Sequence, residues 1–229
     1  MAGDPVCMID EFSSFGYTAG IVLKGRWKDQ DEIYDHISRE VVGNSVRMIS
    51  PSQTHSSRIA VIEKDHESRS LSTDGAISNS ENVCLTVRSA DCIPTLMVEP
   101  STGFFGAVHI GWRGLIGGIV EELFNLSGSF KLNPEDMLFY PGPSIGNCCF
   151  EVGDEVAALF DDPFITRRDD KFYVDLPKAL TNKLISLGVR ESNIGGSPDC
   201  TSCLSDRYYS YRRDGSAPIQ MVSFIFKSR

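Results

Sequence analysis

The stretches ADCIPTLMVEP, beginning at Ala90, and AVHIGWRG, beginning at Ala107, are apolar and β-like, yet each carries one reactive side chain, Cys92 and His109. A third reactive group, His55, lies in the polar stretch SPSQTHSSR. Two imidazoles and one thiolate are enough protein ligands for a catalytic zinc, which keeps its fourth position for water and lowers that water's pKa toward neutrality. Spacing alone does not establish such a site, because ligands this far apart must be gathered by the fold. The same residues allow a metal-free alternative, a cysteine hydrolase with Cys92 as thiolate nucleophile and His109 as its base, which leaves His55 idle. Copper is a third option, since thiolate and imidazole also hold copper. Four histidines in the whole chain are far too few for a multicopper oxidase cluster.

Each of these residues also has a plainer role. Free cysteine is among the most buried residue types and often only fills space. His36 falls on a helix surface and His66 in the charged loop EKDHESR, and both are expected to be inert. Asp91 next to Cys92 would point to the opposite face of a regular strand, so the two share a pocket only if the strand breaks there. Asp91 is therefore expected to brace backbone. After His109, GWRGLIGG puts backbone N–H groups and Arg113 where an anion could bind, although glycines also serve tight turns and close packing. In SYRRDG, Arg212 or Arg213 could add a second anion contact or simply be solvated. Cys148, Cys149, Cys200 and Cys203 could form a four-thiolate structural zinc site. Adjacent cysteine side chains diverge, however, so Cys149 is expected at a pocket wall and Cys148 in packing.

Several elements must position these groups. TAGIVLKG (18–25) reads as a strand and QDEIYDHISREVV (30–42) as an amphipathic helix with Ile33, Ile37 and Val41 on one face. SVRMIS and RIAVIEK read as strands flanking the His55 loop. NVCLTVRS, PTLMVEP and GFFGAVHI are three more, the last two joined as a hairpin through EPSTG. LIGGIVEELFNL reads as a helix packed on a sheet, and MLFY as a strand. VGDEVAALF and DLPKALTNKLISLG read as helices, the second with Asp175 as its cap and Gly188 as its stop. QMVSFIFK closes as a strand. No internal repeat or long linker interrupts this alternation, so one α+β domain over residues 1–229 is the economical reading.

Bulk properties narrow the function. A net charge of −9 argues against a nucleic-acid surface, though a few arginines can still make a local anion pocket. No apolar run approaches a membrane span, and the N-terminus lacks the positive start and apolar core of a secretory signal. Seven cysteines, an odd number, suit a reducing compartment better than a disulfide framework, so a cytoplasmic protein is expected.

Side by side, QTHS, STDGAIS, VCLTVRSADCIPTLMVE, GAVHIGWRGL, GPSIGNCCFEVGDEV and CTSCLSDRYYSYRRDG occur in the order seen in the YfiH-like proteins, also called the polyphenol oxidase or laccase-domain family. The chain resembles that family from about Arg47 to Asp214. The resemblance implies a layered α/β/β/α sandwich related to cysteine hydrolases of the cytotoxic-necrotizing-factor type. It also implies zinc held by His55, Cys92 and His109. The implied activity is phosphorolysis of purine nucleosides (adenosine, inosine, guanosine and methylthioadenosine) with adenosine deamination beside it. Members have also been labelled polyphenol oxidases and peptidoglycan-editing factors. Under this reading the partners are small nucleosides and phosphate, with Arg47, Arg113 and the amides after His109 as phosphate contacts. Asp74 in STDG matches a family position and is a candidate proton carrier or ribose contact. Two departures stand out: the S-L-N-L stretch before the QTHS motif is missing, and DGSAPIQM replaces a C-terminal T-G-R arginine.

Overall fold

The computed structural model describes residues 5–43, 46–63 and 72–228. Two antiparallel strands, β1 (Val6–Ile9) and β2 (Tyr17–Val22), precede helix α1 (Gln30–His36). The Asp29 side chain accepts from Glu32 N–H and caps α1, which runs on as π-helix over Ile37–Val42. Next come β3 (Arg47–Ile49), β4 (Ile59–Ile62) and β5 (Gly75–Ser78), then β6 (Val83–Ser89), β7 (Ile93–Glu99) and β8 (Phe104–Ile110). Helices α2 (Trp112–Ile116) and α3 (Ile119–Ser129) lead to β9 (Leu138–Pro141). The remainder is β10 (Glu151–Val152), α4 (Asp154–Ala157), β11 (Ile165–Arg168), β12 (Lys171–Val174), α5 (Leu176–Ser186), α6 (Tyr211–Asp214) and β13 (Met221–Lys227).

Two five-stranded mixed sheets form the centre, one ordered β1-β2-β13-β6-β3 and the other β4-β5-β8-β7-β9. Among the described strands, β3 pairs with β6 and β4 with β5 in parallel, and the other ladders are antiparallel. Alternation along the strands separates three apolar clusters. Ile21, Leu85, Val87, Leu96, Phe105 and Ile225 pack between the sheets. Val22, Val222 and Phe224 point the other way, onto Ile33 and Ile37 of the first helix. Met97 and Val108 face Val120 and Leu123 of α3 and Leu180 and Leu184 of α5. The layers therefore run α/β/β/α, as the family resemblance implies.

Two expectations are corrected and one element is added. The single helix over 115–126 is two, because Gly118 sits at φ +87°, a left-handed conformation that stops α2 and restarts the chain as α3. The helix over 152–160 contracts to α4, since Glu151 and Val152 are drawn into pairing with β12. The β11–β12 hairpin has no signature in the sequence reading. Its turn residues Asp169 and Asp170 have φ of 47° and 59°, the conformation a two-residue hairpin turn demands, but its strands ITRR and KFYV are too charged to show alternating burial. His66 lies outside the described residues.

Candidate metal and substrate site

His109 sits near the C-terminal end of β8, with the strand parity of Phe105 and Ala107, which face the inter-sheet core. The register Gly75↔Val108 brings Asp74, just ahead of β5, against it. His109 N–H donates to the Asp74 carbonyl at 2.6 Å, and the imidazole Nδ1 meets Asp74 Oδ1 at 2.9 Å. The Nδ1–H is consumed there, so Nε2 is the atom left for a ligand.

The same carboxylate builds the His55 loop. Thr54 N–H donates to Asp74 Oδ2 at 3.2 Å, His55 N–H to Oδ1 at 2.9 Å and Ser56 N–H to Oδ2 at 2.6 Å, with the Ser56 hydroxyl adding a fourth donor at 2.7 Å. Wrapping three consecutive amides around one carboxylate puts His55 at φ 57°. Asp74 is fully buried. Burial alone would raise its pKa, yet the bonds from His109, Ser56 and Thr54 prevail and hold it well below the ordinary carboxylate range.

Cys92 enters from the short connection between β6 and β7. Asp91 there has φ 93°, so the strand is broken and both Asp91 and Cys92 face one cleft. The Asp91 side chain is already engaged, accepting from Thr201 Oγ1 at 2.6 Å and Arg212 N–H at 2.7 Å. Cys92 Sγ lies 3.8 Å from His55 Nε2, and the two histidine rings meet edge-on at 4.9 Å between centroids. All three ligand atoms of His55, Cys92 and His109 fall within 4.8 Å of one another. Burial raises the Cys92 thiol pKa, but the imidazoles of His109 and His55 outweigh it and leave the thiol at about 7. Burial lowers His109, while Asp74 and Cys92 lift it to about 9. Gly111 completes the floor: a Cβ there would lie 2.9 Å from Cys92 Sγ and 3.3 Å from His55 Cδ2.

The donor set fits a metal. Around a tetrahedral zinc, sulfur and nitrogen ligands stand about 3.6 Å apart, close to the separation found between Cys92 and His55. The cluster can coordinate a metal ion, and it lies in a cleft of about 630 Å³.

Arg88, Arg113 and Arg212 line that cleft. Arg113 stacks on Trp112 at 4.3 Å, and Arg212 lies over the Phe150 ring while donating to the Cys149 carbonyl. Arg88 was missed in the sequence, although it stands four residues before Cys92 in VRSADC. Its Nε is buried with no hydrogen-bond partner among the described residues.

Other expected contacts move elsewhere. Arg47 pairs with Val83 at the far end of β6, five residues or about 17 Å from Arg88, and its guanidinium reaches the Glu63 carbonyl. Of the two roles expected for Asp74, burial behind His109 puts the ribose contact out of reach, while the bond to His109 Nδ1 positions the imidazole and suits a proton carrier that acts through it. Arg213 donates to the carbonyls of Thr201 and Tyr208 and to Asp214, which makes it structural. The Cys149 thiol turns away from the cleft toward Cys203 at 3.4 Å.

A family model described as multi-copper polyphenol oxidoreductase laccase matches residues 29–228. The chain belongs to that family. The purine nucleoside phosphorylase YlmD of Geobacillus stearothermophilus is 34% identical over 161 residues, 66% of this chain and 59% of the relative. This chain therefore spans less than two thirds of that relative's length. The adenosine deaminase RL5 of an unknown prokaryotic organism is 31% identical over 188 residues, 73% of this chain and 70% of the relative. The crystal structure of the Bacillus licheniformis hypothetical protein YfiH superposes with a TM-score of 0.87 at 22% identity, over 100% of this chain and 98% of that one, which establishes the shared fold. Among the described residues no helix is long and apolar enough to cross a membrane.

Proposed function

We propose that the protein is a zinc-dependent purine nucleoside phosphorylase with adenosine deaminase activity beside it, acting in the cytoplasm. The observation that carries this reading is the convergence of His55, Cys92 and His109 at the floor of an arginine-lined cleft. In a chain of net charge −9, that cleft collects three guanidinium groups, and its Asp91 carboxylate is engaged by protein donors. Such a local field suits an inorganic anion. The family relatives named for phosphorolysis and for adenosine deamination support the substrate class.

Phosphorolysis joins a phosphate oxygen to ribose C1′ and releases the base with the bond's electron pair. Arg113 and Arg88, whose side chains both line the cleft, would hold the phosphate. Trp112 and Phe150 add apolar aromatic surface to the cleft wall, against which a purine would lie. Asp74 keeps the His109 ring in one orientation and one tautomer, with Nε2 directed into the cleft. His55, Cys92 and His109 would hold the zinc, which when bound polarises a substrate oxygen or a water beside it. Incubation with inosine, with and without phosphate, tests this. Hypoxanthine and ribose 1-phosphate should form only when phosphate is present; a phosphate-independent release of base would sink the reading.

One observation favours a second reading, a metal-free cysteine hydrolase. Asp74, His109 and Cys92 form a carboxylate–imidazole–thiol chain, and the thiol is lowered to about 7. Freshly purified protein without zinc, in which iodoacetamide blocks Cys92 and all turnover, would select it.

A further inference from the structure

A second cluster of soft ligands lies outside the cleft. The sulfurs of Cys148, Cys149, Cys200 and Cys203 all fall within 4.8 Å of one another, with Cys203 Sγ 3.4 Å from Cys149 Sγ and 3.6 Å from Cys148 Sγ. Divergence of the adjacent pair, the sequence-based objection, holds for extended backbone. Here the chain turns: the N–H groups of Cys149 and Phe150 both donate to the Gly146 carbonyl at 2.9 Å. On the facing segment, Leu204 N–H donates to the Cys200 carbonyl at 3.1 Å, a helical turn that puts Cys200 and Cys203 on one side. A parallel bridge between Ser144 and Cys200 joins the two turns.

We propose that these four cysteines form a second metal centre, a tetrathiolate zinc site that fastens the 144–150 loop to the 199–203 turn. Four sulfurs around a tetrahedral zinc stand about 3.8 Å apart, which the observed 3.4 and 3.6 Å approach; a disulfide would need about 2.05 Å. All four are free thiols; Cys149 and Cys200 pack against the core, but Cys148 and Cys203 are exposed, so core packing does not explain why these two join them. Zinc binding releases four thiol protons to solvent and leaves a site of charge −2. Side chains tie down the backbone that carries the sulfurs: Arg168 donates to the Asn147 carbonyl, Arg212 to that of Cys149, and Arg213 to those of Thr201 and Ser202. Gly146 N–H also donates to Cys200 Sγ at 3.3 Å, a bond that favours the thiolate. The site matters to the cleft because the fastened segments carry Ile145, Phe150 and the Thr201 that holds Asp91.

The test uses the 229-residue chain loaded with zinc and desalted, read by elemental analysis. Wild type should hold two zinc ions per chain, His109→Ala one, and Cys200→Ser/Cys203→Ser one. Cobalt(II) added to metal-free His109→Ala should give strong near-ultraviolet sulfur-to-cobalt bands and tetrahedral d–d bands in the red. A readout on unmutated protein removes any dependence on variant folding: peptide mapping after iodoacetamide should show the four cysteines protected with zinc and alkylated after chelation. Overturning results are His109→Ala retaining no zinc, cobalt spectra without thiolate bands, alkylation unaffected by zinc, or recovery of these cysteines as disulfides. Since the decisive count is made with the other cluster disabled, failure here leaves the phosphorylase reading untouched, and the reverse also holds.

Discussion

Asp74 and His109 are joined twice, by the imidazole Nδ1 on the carboxylate at 2.9 Å and by the His109 amide on the Asp74 carbonyl at 2.6 Å. The same carboxylate gathers the amides of Thr54, His55 and Ser56, so one buried side chain sets the position of two of the three proposed metal ligands.

Asp74→Asn tests that dual role. Losing such a carboxylate partner typically weakens metal binding by about 10–100-fold. Zinc affinity, measured by competition with a chromophoric chelator, should fall by that range while Cys92 remains in place. An unchanged affinity would show that the ligands are preorganised by something else.

The pH dependence follows from the direction of the Asp74 shift. Its folded-state pKa lies below the unfolded value of about 3.9, so the stability it contributes is complete above that pH and is lost as pH falls further. In metal-free protein, wild type should be more stable than Asp74→Asn near neutrality, and the gap should narrow progressively as pH falls below about 4. Chemical denaturation at a series of pH values reads this directly. A gap that stays constant with pH contradicts the assignment.

Cys92→Ala and His109→Ala should each abolish zinc at the cleft and phosphorolysis with it. Gly111→Ala is a gentler probe, because its backbone (φ −90°, ψ 172°) accepts alanine while the new Cβ presses on Cys92 Sγ. Zinc occupancy should drop with little change in Tm. Full occupancy in Gly111→Ala means the sulfur has room that the structure denies it.

The arginines separate two ends of the sheet. Charge-assisted hydrogen bonds contribute about 1.5–3 kcal/mol, so Arg113→Ala should raise the KM for phosphate at least about ten-fold without loss of zinc. Arg47→Ala, at the far end of β6, should leave that KM unchanged. Steady-state kinetics with phosphate varied distinguishes the pair, and equal effects would refute the placement.

Residue types and local periodicity determined a great deal of this molecule. Strands such as β8 and β13 announce themselves by apolar content, Asp175 marks the start of α5, and the series from QTHS to SYRRDG carries the family. The chemistry of His55, Cys92 and His109 is legible because thiolate and imidazole have few other joint uses. Their convergence is not, since it depends on strand register, on Gly75 opposite Val108, and on the left-handed Asp91 that breaks one strand. Long-range register leaves no trace in residue spacing. That is why residue types alone point to Arg47 as a phosphate contact, leave Asp74 between proton carrier and ribose contact, and pass over Arg88. The four cysteines teach the same lesson in reverse: extended geometry would scatter them, and two turns held by backbone hydrogen bonds bring them together.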